Sequence, residues 1–156
     1  MKRYDIMRTG TNPPLELEDA FCSIYVLMAV KTGDKFKRYQ VIEQIRNGLA
    51  LWMKNSTLDP IRNKGLDLTI VFNRESRYVG IQDVDNMAKL VMDALKKEKG
   101  DSRFLFHDDK QVIRLLVYKQ VAKKLSGYDT DSISISCRVH NPNKQMILEN
   151  QKDKVM

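Results

Sequence analysis

Apolar positions recur along the chain with two different periods, and the switches between them lay out its elements. From Phe21 to Val30 the residues are apolar and often β-branched, and Gly33-Asp34 follows as a turn, so the stretch reads as a strand. Between Tyr39 and Met53 the period lengthens. Val41, Ile42, Ile45, Leu49 and Trp52 recur at three- and four-residue steps, the stripe of an amphipathic helix, and Asn55-Ser56 and Asp59-Pro60 mark its exit. Leu66, Leu68, Ile70 and Phe72 alternate with polar neighbours and predict a second strand, followed by a basic loop or strand extension, Asn73 to Gly80. Met87, Leu90, Val91, Ala94 and Leu95 form a second helical stripe, with Asp83 or Asp85 placed to cap it. Lys96 to His107, around Gly100, reads as a loop. Gln111 to Val121 carries apolar residues on both faces (Val112, Ile113, Leu115, Leu116, Val117), the pattern of a strand central in its sheet. Lys123-Lys124 and Gly127 form a turn, and Ile133 to Val139 alternates as the last strand.

The order is β-α-β-α-β-β. It predicts an α+β fold of two layers, with two main helices on one face of a mixed four-stranded sheet. The other face of the sheet would be open to a second subunit. Residues 1–19 are polar, with Asn12-Pro13-Pro14, and read as an extended arm; residues 141–156 are polar and read as a frayed tail. One domain therefore spans residues 1–140, a size that can bury a real core.

Composition narrows the class. With 42% hydrophobic and 30% charged residues the chain has the balance of a soluble globular protein. Its longest apolar run, Ile24 to Val30, is too short to span a bilayer, and Met1 to Asp5 lack the apolar core of a signal peptide, so we expect a cytoplasmic protein with no membrane partner. Cys22 and Cys137 lie in strand-like segments and read as buried free thiols; with His107 and His140 isolated, no zinc pattern is present. The net charge of +7 is spread along the chain. A folded basic surface of this kind suits a polyanion, nucleic acid first.

Against that background, Asp83 to Asp109 stands out as an acidic stretch in a basic chain. If extended, Asp83 and Asp85 point the same way, roughly 6.6 Å apart. At a helix start they would lie at the positive end of its dipole. Either placement lets both approach one hard cation such as Mg²⁺, which takes oxygen ligands and would activate a water for attack on a phosphodiester. Asn86, Lys89 and Asp93 form one row beside the apolar stripe, so Lys89 stands over the helix start, where it can pair with phosphate. The plainer readings are capping by the Asp83 segment, an i,i+4 salt bridge between Lys89 and Asp93, and strand-bounding by Asp108-Asp109.

Asp83-Val84-Asp85-Asn86, Lys89, Asp93-Ala94-Leu95 and then Asp108-Asp109-x-x-Val112 resemble the signature of the RusA family of Holliday-junction resolvases. The likeness is best over residues 66–140, and within them the strand ending Val117-Tyr118-Lys119 also resembles the family's pattern. It implies a small homodimeric endonuclease of bacterial or phage origin that binds four-way DNA junctions and, with Mg²⁺ (Mn²⁺ as a substitute) and no small-molecule cofactor, makes paired nicks. It also implies Asp83, Asp85 and Asp109 as essential acidic ligands and Lys89 as the essential lysine, with Asn86, Asp93 and Asp108 in support. Two features depart from the pattern. Lys96 to His107 is several residues longer, and the proline- and asparagine-rich turn after the first strand is missing. Candidate DNA contacts are Arg74, Arg77, Lys96, Lys97, Lys99, Arg103, Lys119, Lys123 and Lys124. Phe104 and Phe106 would either wedge against bases or anchor the loop to the core. The rival functions are a non-cleaving dimer that binds branched DNA and a metal-dependent phosphohydrolase of small nucleotides.

Overall fold

The computed structural model describes residues 20–26, 35–55, 62–75, 83–121, 124–125, 128–129 and 131–146. Its elements are β1 (Ala20–Val26), α1 (Lys35–Asn55), β2 (Leu66–Arg74), α2 (Val84–Leu95), a 3₁₀ turn at Asp109–Gln111, β3 (Val112–Val121), β4 (Lys124–Leu125), β5 (Tyr128–Asp129) and β6 (Ser132–Val139). The main sheet has the order β1-β6-β2-β3, and β4 and β5 pair as a separate two-stranded ribbon where the sequence suggested only a turn. β6 runs antiparallel to both β1 and β2. β2 and β3 are parallel, so the chain must cross back between them, and α2 lies within that crossover. The α+β expectation of a mixed four-stranded sheet with two helices holds.

The core lies between the helices and one face of the sheet. Val41, Ile45 and Leu49 of α1 and Met87, Leu90, Val91, Ala94 and Leu95 of α2 cluster with Leu66, Leu68, Ile70 and Phe72 of β2 and Ile133, Ile135 and Cys137 of β6. Each fully buried aliphatic of this size contributes roughly 1.5–3 kcal/mol. α1 sits close on β1: a methyl group at Gly48 would fall 2.7 Å from Ile24 Cγ2. α1 also starts earlier than its periodicity showed, because Lys35–Lys37 are exposed and add nothing to the apolar stripe. Cys137 is buried, as expected. No helix of the described residues is long and apolar enough to cross a membrane.

Two expectations fail here. Among the described residues β3 is not central but lies at the edge of the sheet, paired only to β2. Its double-sided apolar pattern leaves Ile113, Leu115 and Val121 45–53% exposed. The second face of the sheet is not open either. Asp67, Thr69, Val71 and Asn73 on β2 and Ser134, Ser136 and Arg138 on β6 are all buried.

That face is organised by Asp67. Arg114 Nε donates to its carboxylate at 3.0 Å, Arg138 Nε at 3.4 Å and the Asn141 N–H at 3.3 Å, while His140 Nδ1 lies 2.7 Å away. Burial by itself would raise the Asp67 pKa; the hydrogen bonds from Arg114, His140 and Asn141 and the Arg114 charge outweigh it and hold the group at about 2. Arg114 also donates to the Asn141 carbonyl and Arg138 to the Gln145 carbonyl. The segment after β6 is thus tied down as far as Gln145 rather than frayed from Asn141 onward, because the sheet-face charges capture its backbone.

Candidate active site

α2 carries the acidic motif on its first turn. Asp83 occupies the N-cap position with extended backbone angles, yet its side chain makes no capping hydrogen bond. Asp83, Asp85, Asn86 and Lys89 are exposed, and among the described residues none of them takes part in an ion pair. The capping reading therefore does not account for Asp83. Two carboxylates stand at the positive end of the helix dipole with their oxygens uncommitted, and Lys89 follows one turn later.

The far end of α2 is held by α1. An acidic residue near a helix C-terminus meets the wrong end of the dipole, and here Arg38 compensates, with Nη2 2.7 Å from Asp93 Oδ2. Arg46 donates to the Ala94 and Asp93 carbonyls at 3.3 and 3.5 Å, occupying acceptors the helix leaves open. Asp93 thus pairs with Arg38 instead of bridging to Lys89, which leaves the Lys89 ammonium without an ion-pair partner among the described residues. No local signal marks Arg38 and Arg46, whose partners lie about fifty residues away in sequence.

Asp108 and Asp109 separate in role. Asp108 accepts from the Lys110 N–H at 3.0 Å, and Gln111 reaches back to the Asp108 N–H at 3.2 Å, a reciprocal cap of the 3₁₀ turn. Asp109 points outward, 54% exposed, with Lys96 Nζ 3.8 Å from Oδ2. Because Lys96 directly follows α2, Asp109 lies at the C-terminal end of that helix. The 12 residues of α2 span about 18 Å. Within one chain, Asp83 and Asp85 therefore sit at one end of the helix and Asp109 at the other. Among the described residues no group of three or more His, Cys, Asp or Glu converges.

The candidate DNA contacts divide the same way. Lys119 stands opposite Phe72 in the register, toward the C-terminal end of the parallel strands. β3 begins at the Asp109 end of α2, so its C-terminal end is the one shared with Asp83 and Asp85. Arg74 is buried, with Nε 3.9 Å from Asp131, and belongs to the interior rather than the surface. Arg77 and Lys123 lie outside the described residues, and Lys124 is in β4.

The Lys96–His107 excursion is ordered by contacts the sequence did not reveal. Phe104, Leu105 and Phe106 are buried and anchor it, so neither phenylalanine is available as a wedge. Gly100, at φ 82°, turns the chain at its tip. Arg103 grips Asp101 with Nε and Nη2 at 3.0 and 2.9 Å, and reaches Glu43 of α1 at 3.2 Å and Asn47 at 2.9 Å. The Arg103 side-chain and backbone hydrogen bonds to Asp101, with the Arg103 and Arg46 charges, bring the Asp101 pKa down to about 2. Arg103 is thereby committed to an intramolecular staple.

A family model described as endodeoxyribonuclease RusA matches residues 30–128, which contain α1, β2, α2, the excursion and β3. No curated protein shows significant similarity to the chain.

Proposed function

Because the chain belongs to the RusA endodeoxyribonuclease family, we propose that it is a Mg²⁺-dependent endonuclease that resolves four-way DNA junctions by paired symmetric nicks, acting as a homodimer. The observation that carries this reading is the pair of uncommitted carboxylates, Asp83 and Asp85, at the N-terminus of α2 with Lys89 a turn behind them. Exposed oxygen donors of this kind suit a hard cation better than a structural ion pair.

The third carboxylate comes from a second copy. Asp109 is a helix length away in its own chain, and β3 is an edge strand with exposed Ile113, Leu115 and Val121. An unpaired apolar edge is a template for another strand. Antiparallel pairing of β3 with the partner's β3 across a two-fold axis would make that strand central, as its double-sided apolar pattern demands. It would also set the N-terminal end of one β3 beside the C-terminal end of the other, bringing the partner's Asp109 toward Asp83 and Asp85.

Asp83, Asp85 and the partner's Asp109 would hold Mg²⁺, or Mn²⁺ in its place. The bound metal supplies an activated water and charge stabilisation at the departing oxygen. Lys89 would contact a non-bridging phosphate oxygen and stabilise charge developing there. Lys119 would hold the strand's backbone on the same side, and Lys96 would orient Asp109 through the contact it already makes. Two such sites related by a two-fold axis match two symmetric strands of one junction.

Subunit mixing tests the arrangement. Asp85→Asn and Asp109→Asn homodimers are each expected to be inactive. Their mixture should regain activity, because one site of the mixed dimer combines an intact Asp85 with an intact Asp109. That activity should nick only one strand of each junction. A mixture as inactive as its parents would place all ligands within one chain and refute the shared site.

A further inference from the structure

We propose that the Lys96–His107 excursion is a preformed phosphate-binding arm that seats the sugar–phosphate backbone of a duplex arm of the substrate through Lys97 and Lys99, with Lys110 and Lys64 beside them. The proposal rests on the nuclease reading above and names which surface receives the DNA.

The ion pairs sort the charges of this region. Most of its acidic groups are engaged internally: Asp101 and Glu43 by Arg103, Glu98 by Arg46 at 3.7 Å, and Asp108 by the backbone cap, while Asp109, the proposed metal ligand, lies 3.8 Å from Lys96. The basic groups left over are Lys64, Lys97, Lys99 and Lys110. All four are exposed, and among the described residues none is ion-paired.

Three of them, Lys64, Lys97 and Lys110, ride on segments fastened to one another, and Lys99 follows Lys97 by two residues, next to Gly100. Gln111 Nε2 donates to the Arg62 and Lys64 carbonyls at 2.6 and 3.1 Å, fastening the 62–65 turn to the 3₁₀ turn that carries Lys110. Arg62 and Lys97 both stand over the Phe104 ring, 4.0 and 4.7 Å from its centroid. Two cations are therefore held within about 9 Å of each other on one ring, an electrostatic cost that a bound polyanion relieves. The arm is stiff, anchored by Phe104–Phe106 and by Arg103 on α1, so little ordering entropy is lost on binding. Lysines on a stiff support read phosphate position rather than base sequence, which suits a substrate defined by shape. Lys96 drops out of the contact set, because Asp109 already holds it.

Affinity for a four-way junction, measured in EDTA at several salt concentrations, tests the arm. Each neutralised phosphate on duplex DNA contributes roughly 0.9 to the log–log salt slope. The Lys97→Ala/Lys99→Ala/Lys110→Ala triple variant is expected to lower the magnitude of the wild-type slope by about 2–3. A charge-matched control, Lys35→Ala/Lys37→Ala/Lys54→Ala on α1, is expected to leave it within about 1 of wild type. An unchanged slope in the first variant, or equal losses in both, overturns the proposal. If wild-type protein nicks the junction while the first variant keeps its slope, the arm is refuted and the nuclease reading stands. If wild type never nicks while the slope still falls, the nuclease reading fails and the arm stands.

Discussion

Replacing Asp67 by Asn removes one charge and almost no volume, and it should be among the most damaging single changes in the sheet. The Asp67 side chain is 1% exposed and shares its carboxylate among Arg114, Arg138 and His140. Its pKa falls from 3.8 to about 2 on folding, a favourable interaction of about 2 kcal/mol. The loss exceeds that figure, because Arg138 is also 1% exposed and would keep a buried charge without its partner, a situation that typically costs about 3–5 kcal/mol. An expected loss near 3 kcal/mol corresponds to a melting temperature lower by about 6–12 °C for a domain of this size. The pH dependence carries a definite sign. A carboxylate with a depressed folded-state pKa contributes its full stability above the unfolded value near 4 and loses it as pH falls through about 2. Urea unfolding followed by the single tryptophan, Trp52, at pH 7 and then from pH 4 to 2 measures both. The gap between wild type and Asp67→Asn should narrow by about 2 kcal/mol across the acid window. A gap under about 1 kcal/mol at pH 7, or one that stays constant down to pH 2, would show that the Asp67 charge does not stabilise the sheet face.

Other perturbations probe separate parts of the structure. Gly48→Ala should lower stability by about 1–2 kcal/mol despite the better helix propensity of alanine, since its methyl would press on Ile24 Cγ2; a raised melting temperature would show that the strand yields. Arg103→Ala should leave the sheet intact but speed amide exchange at residues 97–103, because Asp101 and Glu43 lose their common partner; unchanged protection there would mean that Phe104–Phe106 alone hold the excursion. Lys89→Ala should cut nicking by about 10²-fold or more, as loss of a transition-state contact does, with junction affinity nearly unchanged. Equal losses in both would make Lys89 a binding residue only.

What was legible in the sequence was local. The α2 stripe, the two aspartates before it and the alternation of β2 and β6 all lie within a turn or a few residues of each other, where periodicity reports directly on burial. Helix α1 was legible from Val41, Ile45 and Leu49 but not in its exposed first turn. What stayed hidden depended on partners far along the chain. Asp93 looked like a partner for Lys89 at four residues, and Arg38 takes it from 55 residues away. Asp108 and Asp109 looked like a pair, and only the Gln111 cap assigns one to the turn and leaves the other facing outward. The apolar pattern of β3 correctly signalled a strand that wants neighbours on both sides. It could not say that the second neighbour is absent from the described residues of its own chain. Arg74 resembled a surface cation until its burial beside Asp131 was visible.

Asp83, Asp85 and Asp109 are proposed to form the cutting centre of a junction-resolving nuclease. The most direct test is to incubate a four-way junction with purified wild-type and Asp85→Asn protein, with and without Mg²⁺, and to read the strands on a sequencing gel. Wild type should make two symmetric nicks only when Mg²⁺ is present. Asp85→Asn should make none and still bind the junction, as tightly or more so, having lost a negative charge facing phosphate. Nicking by Asp85→Asn at the wild-type rate, or a junction left whole by wild type with Mg²⁺, would rule out this cutting centre.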